Sequence, residues 1–382
     1  DGISTGPTKL VDDPNTLLAI SDLVFVDPIN TGYSRPAQGV DPATYDGLDQ
    51  EADAIGDFIN GYLTKYGRTA SPKYVVGESY GGMRLPVLSR YLDEKLGIKL
   101  TGLVFISPWL DAIGDDTSDM ADDLPFVNAV PQFAATAWYH HKLTPDLEQK
   151  DVSEVFAEAE AYANGEYISA LAQGGSLPAS RAAQVAAKLG QYLGLPAGQI
   201  QNANLRITDD VFRAQILRDQ GLTVSYYDGR MAAKLSDPSS QDPTDAFNPI
   251  FSAIELPYFT SGLGIQTDLS YQDNNYPAWP GQPIQVQGGY LQVLGDFQTL
   301  MENNPMLKVF MVNGYYDYVC PPGEVDYMLN HLPVDVAGRV RRALYPGGHP
   351  VYFGSLAHAA FQKDLASFYA TAPGKALASA GE

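Results

Sequence analysis

A single cysteine, Cys320, stands among the 382 residues. That excludes an internal disulfide and any metal site built on several thiolates, and it leaves the cellular compartment open. Positive charge is also scarce: 24 Lys and Arg against 45 Asp and Glu give a formal net charge of −21. Such an excess repels phosphate backbones and anionic lipid, so nucleic acid and membrane surfaces are poor partners. No run approaches the roughly 18 consecutive apolar residues of a membrane-spanning helix. Internal repeats and low-complexity tracts are absent. No charged-then-apolar leader opens the chain, so a leader was either not needed or already removed.

What is present is ordinary globular material, 45% apolar, long enough for one large domain with an insertion or for two domains. Residues 23–28 read as a short buried strand stopped by Pro28, followed by a Gly/Pro-rich loop to Pro42. Leu48, Ala52, Ile55, Ile59 and Leu63 recur at helical spacing and predict an amphipathic helix ending near Gly67. Strands are expected over residues 73–77 and 102–108, with a helix over 85–96 between them in which Pro86 sits near the start or makes a kink. The alternation defines a parallel α/β unit with helices on both faces.

From about Asp111 to Gln241 strand signals vanish and helices are expected over 130–143, 152–173, 178–193 and 208–221. Residues 242–289 have no clear period. Parallel α/β character returns as helix 290–301, strand 308–313, helix 325–332, strand 340–345 and helix 356–370. The economical division is an α/β core over 1–110 and 290–382 with a largely helical cap over 111–289, placed over the active-site end of the sheet.

Chemistry concentrates in Gly77-Glu78-Ser79-Tyr80-Gly81-Gly82. A G-x-S-x-G core between a strand and a helix is the geometry of a nucleophile elbow, in which small neighbours let a strained turn lift the serine hydroxyl above the sheet. Asp317 in Gly314-Tyr315-Tyr316-Asp317 and His349 ending Tyr345-Pro346-Gly347-Gly348-His349 follow in the chain order Ser, Asp, His expected of this architecture. Ser79 is then the nucleophile, His349 its base and Asp317 the group that fixes the imidazole tautomer. Tyr80 N–H, one residue past the nucleophile, is an oxyanion donor. The bland readings are an ordinary strand-helix turn at Ser79 and a turn-capping aspartate at Asp317. Asp326, mid-helix, is a poor rival acid. His140, His141, His331 and His358 follow no glycine turn that would aim them at the elbow and read as surface or packing residues. The acidic run Asp111, Asp115, Asp116, Asp119, Asp122 and Asp123 lacks the calcium-loop signature and reads as a solvated loop, so no metal is expected.

Glu78 is unusual, because a carboxylate beside the nucleophile hinders acyl chemistry unless it has a task of its own. A solvated glutamate at a helix N-terminus is the plain alternative. With these residues in view, the chain resembles the serine carboxypeptidases, their bacterial branch in particular, over nearly its whole length. The nucleophile motif G-E-S-Y-[AG]-G is complete at Gly77 to Gly82. The segment D-P-x-x-T-G-[FY]-S-R matches Asp27 to Arg35, G-Y-Y-D matches Gly314 to Asp317, and Y-x-x-G-H matches Tyr345 to His349. The stretches Ala137 to His140 and Ile216 to Gly221 are similar to the cap of that branch.

The resemblance implies an α/β-hydrolase fold and a cofactor-free enzyme, periplasmic or secreted. It would release C-terminal residues from peptides through an acyl-enzyme, at acidic pH. It implies that Glu78 shares a proton with the free C-terminal carboxylate of the peptide and that Cys320, three residues past Asp317, lines the substrate pocket; an inert buried thiol is the alternative. Two departures stand out. Pro350 replaces the methionine common after the histidine, and the family's N-G-G-P-G segment, with a second oxyanion donor, is not in the sequence. The 382 residues are therefore expected to be the larger product of a longer precursor, with a companion N-terminal chain held non-covalently or with that segment simply absent here. An acyltransferase or esterase with the same triad, or a catalytically incomplete binding protein, are the competing functions.

Overall fold

The computed structural model describes residues 9–111, 122–235, 242–272 and 292–371. Its elements in chain order are α1 (Leu48–Lys65), β1 (Tyr74–Glu78), α2 (Gly81–Glu94) and β2 (Gly102–Ile106). An insertion follows: α3 (Leu124–Tyr139), α4 (Pro145–Glu148), α5 (Val152–Tyr162), α6 (Ile168–Leu171), α7 (Ala179–Leu193), α8 (Ala197–Asn202) and α9 (Asp209–Gln215). The short strands β3 (Leu222–Val224) and β4 (Ala232–Lys234) and helix α10 (Asn248–Pro257) complete it. The chain then returns through α11 (Leu294–Asn303), β5 (Lys308–Gly314), α12 (Pro322–Asn330), α13 (Val334–Ala337), β6 (Val340–Tyr345) and α14 (Ser355–Ala370).

Strands β1, β2, β5 and β6 form one parallel sheet in that order, with Val76 opposite Val104, Val104 opposite Phe310, and Phe310 opposite Arg341. The two-residue period of the strands sorts their side chains into two cores. Leu103, Phe105, Val309 and Met311 meet residues of α1, α2, α11 and α12 on one face. Val104, Ile106, Phe310 and Val312 meet Phe361, Leu365 and Phe368 of α14 on the other. Each such apolar side chain removed from water is worth about 1.5–3 kcal/mol. That double coverage is why these strands read as continuous apolar runs. Buried Lys308 opens β5 and places its ammonium on the Thr371 carbonyl at 2.7 Å and on that of Phe368, so a cation closes the C-terminus of α14.

Three expectations need correction. Residues 23–26 form no strand: Leu23, Val24 and Phe25 are 37, 44 and 89% exposed, and only Val26 packs on the core. Among the described residues no strand lies beyond β1, so this extended run has neither a ladder nor a covering layer. The insertion is not free of strands, because β3 and β4 pair antiparallel, from Leu222 with Lys234 to Val224 with Ala232. Three residues each are too few to show alternation. Within the stretch read as aperiodic, α10 forms, although none of its residues is buried. Helix limits moved by a few residues elsewhere. α2 begins at Gly81 and holds Pro86 in its second turn, α9 stops at Gln215, and Tyr290 and Leu291 lie outside the described residues.

Candidate active site

The elbow is built where β1 gives way to α2. Ser79 has φ 55°, a left-handed conformation costly for a residue with a side chain. The strain is held from both sides: Ser79 N–H donates to the Ile106 carbonyl at 3.0 Å, and the Ser79 carbonyl accepts Trp109 N–H at 3.0 Å and Gly82 N–H at 2.8 Å. Gly82 is required by contact. A Cβ there would come within 2.7 Å of both Pro108 Cβ and the Trp109 carbonyl oxygen. Tyr80 is the N-cap of α2, which puts its N–H at the positive end of the helix dipole.

Asp317 follows β5 and His349 follows β6, both at the carboxyl ends of parallel strands. Asp317 is fully buried. Its Oδ1 accepts Val319 N–H at 2.9 Å and Cys320 N–H at 3.0 Å, while Oδ2 faces His349 Nδ1 at 3.0 Å. A carboxylate offers only acceptors, so Nδ1 carries the proton and Nε2 is left with its lone pair free to accept one. Burial drags the imidazole pKa down, but the Asp317 charge and hydrogen bond, with Glu78 beside them, hold it above its ordinary 6.5. Among the described residues no hydrogen bond joins the Ser79 hydroxyl to His349; such contacts are often loose before substrate binds.

Glu78 ends β1, half-buried. Burial raises its carboxyl pKa above 4.5, and the Tyr352 hydroxyl, donating to Oε2 at 2.7 Å, offsets part of that rise, as does His349. Cys320 is buried, and its backbone serves the site: its N–H holds Asp317 and its carbonyl accepts Asn313 Nδ2 at 3.1 Å.

Three neighbours escaped the sequence reading. Ser107, with φ 41°, donates its hydroxyl to the His349 carbonyl at 2.7 Å. A small polar residue ending an apolar strand beside the elbow strand was the available signal. Tyr352 shows itself only once Glu78 is placed. The carbonyl of Tyr227, from the insertion, accepts His349 N–H at 2.7 Å, and nothing in its spacing marks it.

The other four histidines bond elsewhere than to Ser79, Asp317 or His349. His140 Nε2 meets the Gly229 carbonyl at 2.7 Å, His141 faces Glu148 and His331 the Tyr327 carbonyl, and His358 faces Asp13. In the acidic run, Asp115, Asp116 and Asp119 lie outside the described residues. Asp123 pairs with Arg206 at 2.6 Å, and Asp122 accepts Leu124 N–H. Among the described residues no group of three or more His, Cys, Asp or Glu is arranged to hold a metal ion. No helix there is long and apolar enough to cross a membrane.

A parallel sheet carrying a serine elbow after one strand, and an aspartate and a histidine after two later ones, is an α/β-hydrolase. Within that class a model of the serine carboxypeptidase family matches residues 3–360, and the chain belongs to that family. It is 31% identical over 119 residues to the pheromone-processing carboxypeptidase KEX1 of Yarrowia lipolytica, a match covering 28% of this chain and 19% of that protein. It is also 31% identical over 109 residues to serine carboxypeptidase S10 family member 1 of Dictyostelium discoideum, 27% of this chain and 26% of that one. The matched stretches thus span about a fifth to a quarter of these relatives.

Two solved structures overlap most of the chain at low similarity. A serine hydrolase, CCSP0084, from Cycloclasticus zankles is 11% identical over 85% of this chain and 72% of its own, with a TM-score of 0.29. A thioesterase domain from the curacin biosynthetic pathway is 14% identical over 88% and 77%, with a TM-score of 0.32. At such scores they carry no weight for this chain.

Proposed function

We propose that this protein is a serine-type carboxypeptidase that releases the C-terminal residue of a peptide through an acyl-enzyme. Ser79 Oγ attacks the last peptide carbonyl while His349 Nε2 takes its proton, and Asp317 stabilises the imidazolium that forms. Tyr80 N–H donates to the developing oxyanion. The imidazolium returns its proton to the leaving amine, and water, activated by the same base, releases the acyl group.

The observation that carries the reading is Glu78, a half-buried carboxyl of raised pKa one residue before the nucleophile. Two carboxyl groups at hydrogen-bond distance cannot both be charged cheaply. A protonated Glu78 therefore fits the terminal carboxylate of a peptide acid and rejects a peptide amide, and it favours an acidic working range. Buried Cys320 next to Asp317 is read as a wall of the same substrate site, and residues 111–289 as the cap over it. A periplasmic or secreted location goes with this reading through the family.

A companion chain is part of the proposal. The outer edge of β1 faces no strand among the described residues, its Val76 is 48% exposed, and Phe25, in the apolar run before it in the chain, is 89% exposed. An extended apolar segment fits such an edge by strand addition.

The deciding experiment is the rate ratio on N-blocked dipeptides with free and amidated C-termini. The wild type should favour the acid strongly. Glu78→Gln should reduce that preference at least about tenfold, since Gln cannot share a titrating proton. An unchanged ratio would sink carboxylate recognition by Glu78 and leave an esterase or acyltransferase in its place.

A further inference from the structure

The histidine turn poses a mechanical problem. Tyr345-Pro346-Gly347-Gly348-His349 carries two glycines, so it has little stiffness of its own, yet the imidazole must stay aimed at Ser79 within a fraction of an ångström. Asp317 fixes the ring and Ser107 the backbone carbonyl. Tyr316 N–H donates to the Gly347 carbonyl at 3.1 Å. Further anchors come from the insertion, through the loop between β3 and β4.

That loop is tightly built. The Ser225 hydroxyl accepts Tyr227 N–H at 3.0 Å and Asp228 N–H at 3.2 Å, and donates to Asp242 Oδ1 at 2.5 Å. Asp242 Oδ2 in turn accepts Tyr226 N–H at 2.7 Å. The buried Asp228 carboxylate grips Arg230 through Nε at 2.9 Å and Nη2 at 2.6 Å. Arg230 has one arm left, and Nη1 reaches the Pro346 carbonyl at 2.5 Å. Its guanidinium lies 5.2 Å from the centre of the Tyr316 ring.

The contacts land on both sides of the Asp317–His349 pair. Gly229 N–H donates to the carbonyl of Tyr316, the residue before Asp317, at 2.9 Å. Tyr227 accepts His349 N–H at 2.7 Å, and a Cβ on Gly348 would lie 2.4 Å from that same Tyr227 oxygen. On its far side the loop is tied to the end of α3, where the Gly229 carbonyl accepts His140 Nε2. Charge-assisted bonds such as the Arg230 fork are about twice as strong as neutral ones and fix direction as well as distance.

We propose that the 225–230 loop is the positioning device for His349, with Arg230 as its positioning residue, so that the helical insertion takes part in catalysis as well as in substrate access. The proposal rests on the triad reading of Ser79, Asp317 and His349. Arg230 acts through the Pro346 carbonyl and the histidine turn and touches no reacting atom.

Two variants separate positioning from mere folding. Arg230→Lys keeps a cation for Asp228, but a single ammonium cannot also hold Pro346. The pair Asp228→Asn with Arg230→Met removes both charges together, so no unpaired charge is buried. The readouts are kcat and KM on an N-blocked dipeptide, thermal melting, and the rate at which a fluorophosphonate labels Ser79. Both variants should melt near the wild type, with kcat down ~10- to 100-fold, KM changed less than ~3-fold, and labelling slowed in parallel. Wild-type kcat and labelling in either folded variant, or activity lost only in step with melting, would overturn the proposal. Labelling that persists in Ser79→Ala would instead overturn the triad itself.

Discussion

At the scale of single residues, the proposed mechanism needs two protons in opposite places. His349 must be neutral to act as base, and its pKa stands above 6.5 because Asp317 and Glu78 outweigh its burial. Glu78 must be protonated to hold a carboxylate, and burial raises its pKa above 4.5. The pair titrates together, so the productive form carries one proton, on Glu78, and is lost at both ends of the pH range. On a peptide acid, kcat/KM should pass through a maximum between the two titrations. Fluorophosphonate labelling needs only neutral His349 and should rise once and level off. Glu78→Gln should lose the high-pH decline and shift the remaining rise to lower pH, because the carboxylate that supports the imidazolium is gone. Tyr352→Phe removes a donor that favours ionised Glu78, so the high-pH limb should move up. A pH profile for peptide acids that merely follows the labelling curve would count against Glu78 as the proton-sharing group.

At the scale of elements, the joint between insertion and core contains a carboxyl that the catalytic reading does not use. Glu160 on α5 faces Asp326 of α12 and Arg342 of β6. Arg342 already holds Asp326 at 2.6 Å, while Glu160 Oε1 is buried with no hydrogen-bond partner among the described residues. Burial, then the Asp326 charge, raise its pKa from 4.5 to about 7, against the pull of Arg342. A folded-state pKa above the unfolded value means stability that is present below about 4.5 and lost as pH climbs through about 7. Glu160→Gln should therefore leave the urea midpoint nearly unchanged at acidic pH. Above neutrality it should gain on the order of 1–3 kcal/mol, a range already reduced for partial exposure; equal midpoints there would refute the assignment. The same joint shows what the sequence could and could not reveal. Strands β2 and β5 were legible because both their faces are buried, and Ser79, Asp317 and His349 could be singled out because each follows a strand in a short, glycine-marked motif. Tyr227, Arg230 and Glu160 were not, since what defines them is contact between segments far apart in the chain. Leu23, Val24 and Phe25 misled for the opposite reason: an apolar run states a need for cover without saying what supplies it.

At the scale of the whole molecule, that need is unmet along one edge among the described residues. The sheet among the described residues runs from β1 to β6, with α14 on one face and α1, α2, α11 and α12 on the other. β6 carries Arg341 and Arg342, each paired with an aspartate of a neighbouring helix, and so presents a polar margin. β1 instead shows Val76 to solvent, and the apolar run from Leu23 to Phe25 is exposed as well. An uncovered apolar strand edge invites pairing with another extended chain. A molecule of charge −21 is poorly disposed to meet a second copy of itself there, since like charges oppose close approach. A companion segment of the same precursor, extended and apolar, is the occupant proposed, and on that proposal it would carry the second oxyanion donor. The purified active protein should then yield a second, smaller peptide by intact mass spectrometry under denaturing conditions. It should be absent from a Val76→Lys, Phe25→Asp variant, whose activity should fall roughly 10²–10³-fold if the peptide carries that donor. A lone 41.3 kDa species with full peptidase activity would refute the companion and would require the second donor to come from within the 382-residue chain.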